Sequence, residues 1–359
     1  MPINRVYHTW LSALLQLHPY QRITVLRNFA WLIAGIYMSR SIHLSRIADE
    51  ITWRVKLPSA TRRLSRLLAN RRLRVREWYE PIARALLAAQ IATLGEVRLI
   101  VDGTKVSFNH QLLMVAIAFR RRTLPIAWTW IPSKRGHSSA AKQKALLAYV
   151  RKLIPAGTPV LVVGDAEFGE VPVLKLLDAW KWSYVFRQRA SFLVRLPQTH
   201  VWQPLGHLIT TPGQQQWLPA AFLTQKHQYP VNLLLYWKPG EKKPWLLATN
   251  LTSASTARRS YQRRMWIDEM FGDFKGHGVN LEASHVRHFM RLSRLTLAVA
   301  MLYVWLVSSG SSVIKRGLRH LVDRKDRRDL SIFRIGWSFI KLRLKHQRPF
   351  PFRLLPYFR

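Results

Sequence analysis

The chain of 359 residues contains no cysteine. This absence excludes disulfide bonds, thiolate zinc sites and cysteine nucleophiles, and it fits a reducing compartment such as the cytoplasm. Acidic residues are also scarce, with 18 Asp and Glu against 57 Lys and Arg and a formal net charge of +39. A surface this cationic favours a polyanionic partner, and nucleic acid is the natural candidate. Because 48 % of the residues are hydrophobic, the chain is expected to fill a core rather than remain a disordered basic tail.

Uncharged apolar runs long enough to cross a membrane are lacking as well. The run from Leu295 to Val307 covers 13 residues, whereas a bilayer needs about 20. A second apolar stretch, 23–38, is interrupted by Arg27 and Asn28. We therefore predict two buried helices and no membrane span. Since no secretory signal opens the chain, we expect a cytoplasmic, nucleoid-associated protein.

Residues 1–94 have a helical pattern and are predicted to form a DNA-binding domain. Within them, 43–51 and 59–68 resemble a helix-turn-helix, with Pro58 and Ser59 opening the second helix. An ordinary basic helix pair with solvated side chains is the alternative interpretation. In the first interpretation three arginines face a DNA groove or the phosphate backbone, namely Arg62, Arg63 and Arg66.

From residue 95 the pattern changes to short β-rich runs separated by helices. The predicted order is strands at 97–107, 112–119 and 123–131, a helix at 140–154, a strand at 159–165, a helix at 172–181 and a strand at 183–189. This order is that of an α/β, ribonuclease-H-like mixed sheet with flanking helices, in which the first and fourth strands are neighbours. The catalytic core is predicted in two parts, 95–190 and 253–310.

The remaining segments have different compositions. Residues 191–252 are rich in proline and in short apolar runs, and they predict a β-rich insertion before the last helix of the core. Residues 311–359 are read as a basic C-terminal region. The turn at 134–138 is either a phosphate-contacting loop or a solvated turn.

Two aspartates follow β-branched apolar runs, at the ends of the first and fourth predicted strands. Asp102 is the only acidic residue between Glu96 and Asp165. Because those strands are expected to be parallel neighbours, we predict that Asp102 and Asp165 lie close together. The alternative for each is a salt bridge, with Lys105 for example, or a turn-capping role before Gly103.

A third acid belongs to a helical pattern further along the chain. Tyr261, Arg264, Asp268 and Lys275 recur at offsets of three, seven and fourteen residues, so one continuous helix would carry them within a stripe of roughly 60°. An acid between two cations suits both a divalent metal ion and a phosphodiester. Oxygen-only ligands favour Mg²⁺ or Mn²⁺ over zinc. In the structural alternative, Arg264 and Asp268 form an ordinary ion pair between successive helical turns.

Three motifs in this order resemble those of the DDE transposases of bacterial insertion sequences, whose third motif runs Tyr, two residues, Arg, three residues, Glu, six residues, Lys. The first motif is matched by Ile100-Val101-Asp102-Gly103-Thr104, the second by Asp165-Ala166-Glu167-Phe168-Gly169, and the third by the segment from Tyr261 to Lys275. The resemblance covers about 95–310 in motif order and spacing.

One position departs from the family pattern. Asp268 stands where the family usually has glutamate, and a glutamate follows at Glu269. Adjacent helical residues point about 100° apart, and Asp268 shares the arc of Arg264 and Lys275. We therefore predict Asp268 as the third acid, with Glu269 as the alternative.

The resemblance implies that Asp102, Asp165 and Asp268 bind two Mg²⁺ or Mn²⁺ ions, which activate water and then a DNA 3′-hydroxyl for attack at phosphorus. It implies cleavage of transposon ends and their transfer into target DNA, with a homodimer acting on paired ends. In that mechanism several side chains contact double-stranded DNA: Tyr261, Arg264 and Lys275 beside the scissile phosphate, and Trp245, which would stack on an extruded base as in relatives that cut through a hairpin.

Other functions remain open at this stage. A ribonuclease-H-like nuclease without strand transfer would share the acids, and a catalytically inactive DNA-binding derivative acting as a regulator is compatible with the substitution at Asp268. A structural RNA-binding protein would explain the charge but leaves the acids unexplained.

Overall fold

The computed structural model describes residues 1–106, 110–132 and 137–358. The last residue of the first predicted strand and most of the 134–138 turn lie outside these ranges. The described residues form eleven α-helices and a ten-stranded sheet. One large hydrophobic core joins the N-terminal helices, the sheet and the long helix near the C-terminus.

Five helices precede the sheet: α1 Pro2–Leu17, α2 Ile23–Ser39, α3 Leu44–Glu50, α4 Leu57–Ala69 and α5 Val75–Leu94. The predicted helix pair is α3 and α4, and Pro58 lies in the first turn of α4, where its missing N–H leaves no hydrogen bond unmade. On α4, Ala60, Leu64, Leu67 and Leu68 are buried. This apolar face directs the arginines of α4 towards solvent.

The first half of the sheet consists of β1 Val97–Val106, β2 His110–Phe119, β3 Arg122–Pro132, β4 Val160–Gly164 and β5 Ser183–Arg187, with α6 Ala140–Arg151 and α7 Val171–Ala179 between strands. The spatial order is β3-β2-β1-β4-β5, antiparallel for the first three strands and parallel from β1 to β5. This confirms the predicted ribonuclease-H-like arrangement. Val101 pairs with Gly164, so the next residues, Asp102 and Asp165, follow at the same end of adjacent strands.

The predicted β-rich insertion extends the same sheet. It contributes β6 Leu193–Arg195, β7 Gln203–Pro204, β8 Gln215–Leu223, β9 Tyr229–Tyr236 and β10 Trp245–Thr249. Strand β10 pairs antiparallel with β5, and the sheet continues through β9, β8, β6 and β7. The insertion is therefore joined to the core by backbone hydrogen bonds between strands.

The single helix predicted to carry Tyr261 to Lys275 is interrupted. Helix α8 spans Ala254–Gln262, a 3₁₀ turn occupies Arg263–Met265, and α9 spans Trp266–Phe274. Each residue of a 3₁₀ turn advances about 120° rather than 100°, so the residues after Met265 are rotated relative to a straight helix. The prediction of one continuous helical stripe is therefore wrong.

Helix α10, Phe289–Lys315, passes through the core. By length and composition it could cross a membrane, but 94 % of its most apolar window is buried inside the protein. The predicted buried helix around Leu295 to Val307 is confirmed.

The C-terminal region is folded against the core. Helix α11, Ile332–Lys345, packs along α10, and the rings of Phe350 and Phe352 contact Trp305 of α10. The two helices approach closely at Gly310 and Gly336, because a Cβ at Gly336 would lie 1.9 Å from the carbonyl oxygen of Leu306.

We expect Gly336→Ala to destabilise the protein by roughly 1 to 3 kcal/mol, since a backbone oxygen cannot move aside without separating α10 from α11. Urea denaturation measures the change, and Gly276→Ala is a control at a site where a Cβ meets nothing within 4 Å. Equal stability of Gly336→Ala and the unaltered protein would contradict the close helix contact.

Candidate active site

Two of the predicted acids lie just beyond the point where the parallel pairing of β1 with β4 ends. Asp102 is only 4 % exposed, and its Oδ1 accepts a hydrogen bond from the Gly103 backbone N–H at 2.7 Å. Asp165 is less buried, and its Oδ1 accepts a hydrogen bond from the Glu167 backbone N–H at 2.8 Å, which holds the turn that follows β4. The second oxygen of each carboxylate, Oδ2, faces the guanidinium of Arg264.

Arg264 joins the three predicted acids. Its Nη2 lies 2.7 Å from Oδ2 of Asp102 and 3.9 Å from Oδ2 of Asp165. Its Nη1 lies 3.3 Å from Oδ2 of Asp268. The structure thus brings acids from β1, the turn after β4 and α9 around a single guanidinium group, which the 3₁₀ turn presents to the end of the sheet.

The electrostatics of this cluster follow from burial. Burial raises the pKa of Asp102 to about 7, assisted by the charge of Asp165 and opposed by Arg264. Burial also raises the pKa of Asp268, again against the effect of Arg264. Burial by itself would lower the pKa of Arg264, but the surrounding carboxylates outweigh it and raise that pKa, so the arginine stays charged.

The alternative acid, Glu269, points elsewhere. Its Oε2 lies 3.3 Å from Nη2 of Arg122, and its backbone oxygen accepts a hydrogen bond from Nη1 of the same arginine. Arg122 also pairs with Asp273, and both side chains are buried. Glu269 therefore belongs to a second charge cluster, on the face of α9 that meets β3.

Of the two other residues predicted to accompany the third acid, Tyr261 lies near Arg264 and Lys275 does not. Tyr261 is buried, which raises its pKa to about 12, and the charges of Arg264 and Arg187 oppose that rise. Its ring contacts Trp245 edge-on at 5.0 Å between centroids. Lys275 is not brought to Arg264: it ends α9, and its Nζ pairs with Glu282 at 2.8 Å. About seven helical residues, or roughly 10 Å, separate Lys275 from Asp268 along the helix.

Glu167 is a fourth acid near the site, which sequence reasoning did not select. It accepts hydrogen bonds from the Ser138 backbone N–H at 2.6 Å and from the Ser138 hydroxyl, and Gln111 Nε2 lies 3.3 Å away. It thereby ties the segment before α6 to the turn that carries Asp165. The sequence signal that could have identified Glu167 is its position two residues after Asp165 in a chain with only 18 acidic residues.

The arginines of α4 lie on a separate surface. Arg62 and Arg66 are exposed. Arg63 is held in place, with its guanidinium 4.2 Å from the centre of the Trp53 ring and its Nε donating to Oδ1 of Asn28 at 2.8 Å.

The carboxylate oxygens around Arg264 are of the type that binds divalent cations. Carboxylate oxygens are the ligands that Mg²⁺ and Mn²⁺ prefer. Within residues 1–106, 110–132 and 137–358, no three His, Asp or Glu side chains are arranged as a metal site as they stand. At this site the guanidinium of Arg264 lies among the carboxylates and supplies positive charge to them.

Residues 93–305, more than half of the chain, match the family model described as transposase DDE domain. The fold is similar to that of a piggyBac transposase in a synaptic complex with hairpin DNA, with a TM-score of 0.42 and 11 % identity over 99 % of this chain and 83 % of that one. No curated protein sequence matches the chain. The match over residues 93–305 shows that the chain belongs to the DDE transposase-domain family.

Proposed function

We propose that this DNA transposase cleaves the ends of its element and joins them to target DNA by metal-dependent phosphoryl transfer, as the insertion-sequence enzymes with a Tyr-Arg-Glu-Lys third motif do. The observation that carries the proposal is the shared contact of Asp102, Asp165 and Asp268 with Arg264. Three carboxylates from distant parts of the chain converge at the carboxyl ends of parallel strands. This is where ligands of open α/β sheets bind.

Asp102, Asp165 and Asp268 would hold Mg²⁺ or Mn²⁺. The ion would supply Lewis-acid activation of the attacking oxygen and charge stabilisation at phosphorus. For the carboxylates to be available, Arg264 has to give up its contacts with them. A DNA phosphate offers the same guanidinium an equivalent bidentate partner, so binding of the substrate and release of the acids would be linked.

The surrounding side chains support binding of double-stranded DNA. Arg264 and Tyr261 would lie beside the scissile phosphate, and Lys275 would contact a phosphate further along the strand once it leaves Glu282. Trp245, part-buried against Tyr261, would offer its remaining face to an extruded base. Arg62, Arg63 and Arg66 would contact DNA from α4. We further propose that a homodimer acts on paired ends.

The test uses labelled DNA that contains the element ends, incubated with the full chain at pH 8, above the pKa of Asp102. We expect cut ends and joined products with Mg²⁺ or Mn²⁺ and neither in EDTA. Cutting without any joined product would instead identify a nuclease. Tight binding without metal-dependent cutting would overturn the catalytic proposal and identify a DNA-binding regulator.

A further inference from the structure

A cleft of about 500 Å³ separates the α3–α4 helix pair from the segment that leads into α10. On the helix-pair side its polar lining consists of the hydroxyl groups of Ser45, Thr61 and Ser65 and the imidazole of His43. On the other side it is lined by His285, Arg287 and Arg291, which are exposed. No aspartate or glutamate is among the described residues that line it. The cleft therefore combines positive charge with hydrogen-bond donors.

Besides His285, the cleft is bordered by His43 and His288. His43 and His285 face each other across it with ring centroids 4.8 Å apart, and His288 begins the first turn of α10. Burial lowers the pKa of His43, and the charges of His285 and Arg46 lower it further. The charges of His285 and Arg46 are the smaller causes of this shift, and a bound anion would oppose them.

The two walls of the cleft are fixed relative to each other. Arg294 of α10 is buried, and it donates through Nε to the Leu73 carbonyl at 3.0 Å and through Nη1 to the Leu68 carbonyl at 2.8 Å. Leu68 lies in the last turn of α4, so this arginine attaches the end of α4 to the core helix. A ligand would find the cleft already formed, without the entropy cost of ordering its walls.

The position of the cleft links it to the acid cluster. Nε2 of His110, the first residue of β2, lies 3.0 Å from the carbonyl oxygen of Arg287. His110 pairs with Val106 of β1, which is four residues, or about 13 Å, beyond Asp102 along the strand. The cleft is thus next to the end of β1 that lies beyond Asp102, and residues of α4 form one of its walls.

We propose that this cleft binds the sugar-phosphate backbone of duplex DNA on the path between the acid cluster and α4. The proposal rests on the proposed function, whose substrate is DNA. Arginine, serine and threonine side chains make most contacts to phosphates, and such contacts position a duplex without reading its sequence. A duplex whose scissile phosphate reaches Asp102 would cross the cleft before it meets the exposed arginines of α4.

The first test measures how the affinity for a random-sequence duplex depends on salt, with EDTA present so that no cleavage occurs. The double variant Arg287→Gln with Arg291→Gln is compared with Arg324→Gln and Arg328→Gln, a matched pair of exposed arginines between α10 and α11. We expect the slope of log K against log salt to fall by about 1.8 in the cleft variant, since each phosphate contact contributes about 0.9. An unchanged slope, or an equal fall in the control, would overturn the proposal.

A second test exploits the absence of cysteine from the chain. Arg287→Cys and, as the control, Arg324→Cys are each labelled with a thiol-specific photo-crosslinker and irradiated with the same duplex in EDTA. We expect at least tenfold more crosslinking from the cleft position than from the control. Wild-type protein that cuts DNA while the labelled cleft variant fails to crosslink would overturn the cleft alone. Crosslinking by a protein that never cuts would leave the cleft standing and overturn the proposed catalysis.

Discussion

Asp268→Ala is expected to abolish metal-dependent cleavage of end DNA, whereas Glu269→Ala is expected to retain it. The carboxylate of Asp268 contacts Arg264 at 3.3 Å, together with Asp102 and Asp165, while that of Glu269 contacts Arg122. If Asp268 is one of three carboxylates that bind the metal, as proposed, its removal should slow cleavage at least about 1,000-fold, or about 4 kcal/mol of transition-state stabilisation. Loss of Glu269 should change the rate by no more than about threefold, or about 0.7 kcal/mol.

The measurement is the initial rate of strand cutting at saturating Mn²⁺, with DNA affinity determined separately in EDTA. Asp268→Asn serves as the matched control, because it keeps the shape of the side chain and removes only its charge. It should be as inactive as Asp268→Ala, and both should bind DNA at least as tightly as the unaltered chain, because Arg264 loses one competing carboxylate. The reverse ranking, with Glu269→Ala inactive and Asp268→Ala active, would assign the third carboxylate to Glu269.

Arg122→Met is expected to cost about 3 to 5 kcal/mol of unfolding free energy. Arg122 is 9 % exposed and pairs with Asp273, which is 3 % exposed. Removing the arginine leaves a buried carboxylate without its counter-ion. The double variant Arg122→Met with Asp273→Asn should recover much of the loss, because the charge is then gone as well. A useful control is Arg74→Met, whose exposed pair with Glu77 is screened by solvent and should be lost without a measurable change.

The loss caused by Arg122→Met should also depend on pH. Burial raises the pKa of Asp273 above that of the unfolded chain, and Arg122 opposes this rise. An acid whose pKa is raised by folding stabilises the folded state while it is protonated. This contribution to stability is fully present below the unfolded pKa of about 3.9 and is lost as the pH rises through the pKa of the folded state. Because Arg122→Met removes the opposing charge, its penalty should be larger at pH 8 than at pH 5. Urea denaturation at the two pH values measures it, and an equal penalty at both would contradict an unpaired buried carboxylate.

The sheet could be predicted because its signals are local. The apolar β-branched runs before Asp102 and Asp165 define buried strands, and the order of elements makes those strands parallel neighbours. The separation of Asp268 from Glu269 also followed from local geometry, since neighbouring helical residues point in different directions. The catalytic roles of these residues stay predictions until cleavage is measured.

Other features depended on contacts that local patterns do not encode. The ion pair of Arg122 with Asp273 joins residues 151 positions apart, and Lys275 is drawn to Glu282 beyond the end of its helix. The 3₁₀ turn at Arg263–Met265 places Arg264 against Asp102 of β1, a tertiary contact that a straight helical projection does not include. The C-terminal region reads as a basic tail because its charge obscures the apolar face with which α11 packs on α10.

The continuity of the sheet has a mechanical consequence. Strand β10 shares a hydrogen-bonded ladder with β5, from Leu247 opposite Arg187 to Thr249 opposite Val185, and β5 in turn pairs with β4. Independent swinging of the insertion would have to break that ladder. A load applied to β8 or β9 is therefore carried across the strands to the turn at Asp165 instead of being absorbed by a hinge. The backbone of Trp245, the first residue of β10, is thereby tied through β5 and β4 to the turn that carries Asp165.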